Sequence, residues 1–95
     1  MKATLLSRQK IVYPDGSLIE TKIWIVPKTS RTPEGFKYSL VYINKKGQRV
    51  LGYDNAEGKG HHKHVGAKEM PYDFKSVDEL VATFEKEVRE LRKIK

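Results

Sequence analysis

The last twenty residues constrain this chain more than any others. Ser76-Val77-Asp78-Glu79 is a capping box, with Ser76 as N-cap and Glu79 three residues on. Asp78 and Glu79 also fall in the first turn, where the helix dipole favours acids. Val77, Leu80, Val81, Phe84, Val88 and Leu91 follow at helical spacing and make one apolar stripe, with Glu85 and Arg89 as an i,i+4 pair on the wet side. The spacing predicts a helix over 76–95. One amphipathic helix without a helical partner can bury its stripe only against a sheet.

The sheet is written upstream. Thr4 to Tyr13 and Ser17 to Val26 read as two strands around Pro14-Asp15-Gly16, where Pro sets a turn φ and Gly supplies a left-handed residue. Pairing Tyr13 with Ser17 sets Ile11 opposite Ile19, Leu5 opposite Ile25, and Lys10 opposite Glu20 as a cross-strand ion pair. Ile19, Thr21, Ile23 and Ile25 then share the core face, with Trp24 and Leu6 on the other. Trp24 is either partly covered there or an exposed aromatic open to a partner. Pro27 to Gly35 reads as a polar connection whose Lys28 and Arg31 add to the basic surface. Phe36 to Asn44 and Gln48 to Asp54 form a second hairpin around Asn44-Lys45-Lys46-Gly47, and Phe36, Tyr38, Leu40 and Tyr42 give it an aromatic face suited to a core. The expected fold class is α+β: an antiparallel sheet of two β-hairpins packed by one C-terminal amphipathic α-helix. The organisation is one domain over 1–95, with sheet 4–54, a His-rich loop 55–72 and the helix.

Ninety-five residues suit one small domain that buries about 60–65% of its unfolded surface. The chain has no cysteine, so disulfides and thiolate metal sites are excluded. The first ten residues lack an apolar core of signal-peptide length, and no run approaches the roughly 18 residues of a membrane span. A cytoplasmic protein without a membrane partner is expected. Its charge is uneven: residues 1–68 hold 13 Lys/Arg against 5 Asp/Glu, a net +8, while residues 69–95 hold 6 against 7, a net −1. A basic face of this kind attracts polyanions, nucleic acid foremost.

All three histidines fall between His61 and His64, in the stretch Tyr53-Asp54-Asn55-Ala56-Glu57-Gly58-Lys59-Gly60-His61-His62-Lys63-His64. Three chemistries fit it. Imidazole changes charge near neutrality, so neighbouring histidines can supply a base for an RNA 2′-hydroxyl and an acid for the leaving oxygen. Lys59 and Lys63 would steady the phosphate, Asp54 would orient a histidine, and the glycines would let backbone amides approach it. Alternatively, an extended His62-Lys63-His64 would point two imidazoles to one side, toward a metal completed by Asp54 or Glu57. In the third reading the loop only binds phosphates.

Arg49-Val50-Leu51-Gly52-Tyr53-Asp54-Asn55-Ala56, Gly58 to His64, and Pro71-Tyr72-Asp73-Phe74 before the Ser76 helix start carry a resemblance. The "YDNA" strand end, "GHHxH" loop, "PYxF" segment and amphipathic helix resemble the TumE-type toxins of prokaryotic toxin–antitoxin pairs. The likeness runs from Arg49 to Phe84, about half the chain. It implies a small growth-inhibiting protein made beside an antitoxin with a helix-turn-helix domain. It points to Tyr53, Asp54, Asn55, His61, His62 and His64; Glu57 stands where the family more often has a histidine. Together with the charge, the expectation is a toxin acting on RNA as a metal-independent endoribonuclease. His61, His62, His64 and Asp54 would be catalytic, and Arg49, Tyr53, Asn55, Lys59 and Lys63 would hold RNA. No cofactor or resident metal is expected, and a homodimer is allowed. The alternatives are a non-catalytic basic module binding nucleic acid or protein, and a divalent-metal nuclease.

Overall fold

The computed structural model describes residues 3–30, 32–55 and 60–93. Six strands, β1 (Thr4–Val12), β2 (Leu18–Ile25), β3 (Phe36–Ile43), β4 (Arg49–Asp54), β5 (His62–Val65) and β6 (Lys68–Pro71), pair in chain order as one antiparallel sheet. The helix α1 (Val77–Lys93) follows. The fold is α+β, as the patterning predicts. The sheet is larger than two hairpins, however, because residues 62–71 of the expected loop fold as a third. There Val65 pairs with Lys68 across the two-residue turn Gly66-Ala67.

The first turn closes as its residues dictate. The Tyr13 amide donates to Ser17 O at 2.8 Å, and Gly16 takes φ +92°, which a side chain would resist. Ile11 pairs with Ile19 and Lys10 with Glu20. Beyond that, a bulge between Leu5 and Ser7 shifts the register, so Leu5 faces Trp24 and Thr4 faces Ile25. Leu6 is the extra residue, which alternation alone could not reveal. Neither Lys10–Glu20 nor Glu85–Arg89 closes to an ion pair among the described residues.

Alternation then sorts the two faces. Ile19, Ile23, Tyr38, Leu40, Tyr42, Leu51 and Tyr53 point to the helix side and bury against Leu80, Phe84 and Val88. Ile25, expected in this core, stays 44% exposed at the end of its strand. The Ser76 hydroxyl accepts the Glu79 amide at 3.1 Å and caps the helix. Its far end is pinned by Arg92, which donates to Ser17 Oγ at 2.7 Å and lies 3.5 Å over the Tyr13 ring. The helix thereby covers one face over β2–β4, while the edge strands β1 and β6 stay exposed. The other face stays open to solvent.

Candidate functional site

β5 begins one residue after His61, and strand alternation separates the three histidines. His62 pairs with Asp54 and His64 with Gly52, which sets both on the open face. Lys63 pairs with Tyr53 on the helix side. His61 lies on that side too, its ring parallel to Phe74 at 4.6 Å and stacked on Tyr38 at 5.7 Å.

On the open face, His64 Nε2 and Asp54 Oδ2 form a 3.0 Å hydrogen bond. With the carboxylate ionised, Nε2 is the donor and Nδ1 keeps its lone pair. His62 Nε2 stands 3.5 Å from Glu69 Oε2, a looser approach. Two residues apart on one strand face, His62 and His64 are neighbours whose Cα atoms stand roughly 7 Å apart. Arg49 stands opposite Ile43 and therefore on the same face. Its side chain crosses Gly52, where a Cβ would come within 3.3 Å of Arg49 Cδ. The missing side chain at Gly52 thus makes the channel in which Arg49 lies beside His64. Arg8, Lys10, Lys22 and Lys37 share the face with Glu20. Five Arg/Lys side chains against three carboxylates leave it basic, and those five form no ion pair with another described residue.

The helix side carries different chemistry. Tyr38 Oη and His61 Nδ1 are 2.7 Å apart. Burial, then the nearby Tyr72, Asp54 and Glu34, push the Tyr38 hydroxyl far above the usual phenol range, so it stays a donor. His61 Nε2 lies 3.1 Å from Glu34 Oε1. His61 so ties the Pro27–Gly35 connection to the sheet. Tyr53 is 1% exposed, and its hydroxyl donates to Glu87 Oε1. Burial and the Glu87 carboxylate keep that hydroxyl protonated as well. Lys63 Nζ bonds the other Glu87 oxygen at 2.5 Å. Neither Tyr53 nor Lys63, expected to meet RNA, reaches the open face. Lys59 lies outside the described residues, as does Glu57.

Asn55 is also structural in its bonding. Its Oδ1 accepts the Tyr38 amide at 3.0 Å, and its Nδ2 donates to Phe36 O at 2.7 Å, extending the β3–β4 ladder past its last backbone pair. Asn55→Ala orphans both groups at a buried position, at about 1–3 kcal/mol each. Denaturant melts should therefore show a clear fall in midpoint at unchanged slope.

Glu69 and Glu34 were not legible as site residues. The Gly66 turn inside an alternating run is the signal that places Glu69 beside His62; Glu34 sits in an irregular connection and has none. A cavity of about 410 Å³ borders His61, His62, Glu69, Met70 and Pro71. Among the described residues, no three His, Asp or Glu side chains are grouped to share a metal ion.

The motifs that build this arrangement are not confined to its strands. A family model described as Toxin TumE matches residues 2–92. The chain belongs to the TumE toxin family. The family resemblance at Arg49–Phe84 thus extends over nearly the whole chain, first hairpin included. TumE membership makes this chain a toxin of a toxin–antitoxin system and implies a cognate antitoxin as partner. No curated protein and no solved structure matches the chain. Among the described residues, no helix is long and apolar enough to cross a membrane.

Proposed function

We propose that this TumE-family toxin cleaves RNA on the open face of its sheet. His64 is the base and His62 the acid. The observation that carries this is the 3.0 Å His64–Asp54 bond beside a second imidazole on the same face. With Asp54 holding the proton on Nε2, His64 Nδ1 accepts the proton of a 2′-hydroxyl. The 2′-oxygen attacks the adjacent phosphorus, the bond to the 5′-oxygen breaks, and His62 protonates that leaving oxygen. The products are a 2′,3′-cyclic phosphate and a 5′-hydroxyl. Arg49 lies next to His64, where it steadies charge on the phosphorane. The cavity beside His62 gives room to the leaving nucleotide. On this reading His61, Tyr53, Asn55 and Lys63 hold the frame.

The test is purified protein on mixed cellular RNA, with and without EDTA, beside the His62→Ala/His64→Ala double variant. Cleavage that survives EDTA, leaves cyclic phosphate ends and vanishes in a folded double variant is expected. Growth arrest that persists in the double variant while the wild type leaves RNA intact would overturn the assignment. That result would favour the basic face acting by occupancy. Cleavage abolished by EDTA and restored by manganese would favour a divalent-metal nuclease.

A further inference from the structure

The open face runs well past the two histidines, and its far corner carries the single tryptophan of the chain. Trp24 stands on β2 between Leu5 on β1 and Lys37 on β3, half-buried and on the side away from the helix. Lys22 is two residues along the same face, with Arg8 opposite it on β1. Across the sheet from Lys22 the row continues through Ser39 and Asp54 to His62. From β2 to β5 are three strand spacings, about 14 Å, and one two-residue step along a strand adds about 7 Å at right angles. A few extended nucleotides cover that distance.

We propose that this row is a track for single-stranded RNA, with one base stacked on Trp24 and its phosphates on Lys22, Lys37 and Arg8. The inference rests on the reading of His62 and His64 as the cleaving pair, and it names the form of RNA that pair receives. An aromatic ring on a flat, basic sheet face offers a stacking platform for an unpaired base. A duplex keeps its base faces covered, and its major groove is too deep and narrow for a flat sheet to enter. The charge favours RNA over an apolar protein surface, since Lys22 and Lys37 flank Trp24 along the strand and across it, with Leu5 its register partner on β1.

Because Trp24 is the sole tryptophan, intrinsic fluorescence reports this contact directly. The uncleaving His62→Ala/His64→Ala variant is titrated with an oligouridylate and with an RNA duplex of equal length, and binding is followed in parallel by gel shift. Saturable quenching by the single strand, much weaker with the duplex, is expected. In the otherwise wild-type chain, Trp24→Ala should raise KM for single-stranded RNA by roughly 5- to 150-fold, the range set by one lost base stack. Its kcat should change little, and Trp24→Phe should keep most of the affinity. Gel-shift binding without any fluorescence change would overturn the track while leaving the cleavage reading intact. Equal affinity for duplex and single strand would do the same. Quenching by the cognate antitoxin but not by RNA would assign this corner to protein. Absence of both RNA binding and cleavage would remove the cleavage reading as well.

Discussion

Phe84→Ala is expected to cost about 3–5 kcal/mol and to leave much of the protein unfolded. The side chain is fully buried at the middle of the helical stripe, between Leu80 and Val88. Its ring meets Tyr53 edge-on, centroids 6.3 Å apart at 87°. That geometry adds to the apolar area removed from water. The surrounding sheet cannot collapse onto the gap, because Leu40, Leu51 and Tyr53 are paired with strands on both sides, and Tyr38 is held by β2 on one side and the Asn55 side chain on the other. Small domains have only about 5–15 kcal/mol to lose. Denaturant melts read the result as a fall in midpoint. Leu91, at the half-exposed end of the stripe, should give a smaller shift when cut to alanine. An unchanged midpoint for Phe84→Ala would mean that the helix does not hold the sheet.

That helix was the easiest element to read, since cap, dipole and stripe all agree over Ser76–Leu91. The first two hairpins were nearly as plain, because β-branched and aromatic residues alternate between turns that need Pro or Gly. The third was not. His62–Val65 and Lys68–Pro71 are short and polar, and they become strands because β4 offers them an edge to pair with. Once they do, the apparent cluster of three histidines divides. Successive residues of a strand point to opposite faces, so adjacency along the chain opposes His61 to His62. That Asp54 would meet one of the three histidines was legible as a short reach across a glycine-containing loop; that it is His64 follows only from the strand register. Glu34 and Glu69 come from other segments, and only tertiary structure brings them near. The bulge at Leu6 likewise leaves no mark in the alternation it interrupts.

The division of the histidines makes Asp54→Asn the sharper chemical test. Asparagine keeps the shape of aspartate but can turn its NH2 toward His64 Nε2, and the imidazole proton then moves to Nδ1. The lone pair needed for the 2′-hydroxyl is lost while the fold is kept. The rate of RNA cleavage should fall roughly 10²–10⁴-fold, the scale of a lost general base. RNA affinity should hold or rise slightly, because one anion leaves a basic face. Glu34→Gln is the matched control on the helix side, where it neutralises the carboxylate 3.1 Å from His61. It should leave the cleavage rate within a few-fold, since His61 lies parallel to Phe74, is hydrogen-bonded to the Tyr38 hydroxyl and sits on the helix side, away from the open face. Melts of both variants check that neither result is unfolding. Equal losses from the two substitutions would mean that the faces do not divide the chemistry. An Asp54→Asn protein that cleaves at the wild-type rate would remove His64 as the base and, with it, the one hydrogen bond on which the mechanism stands.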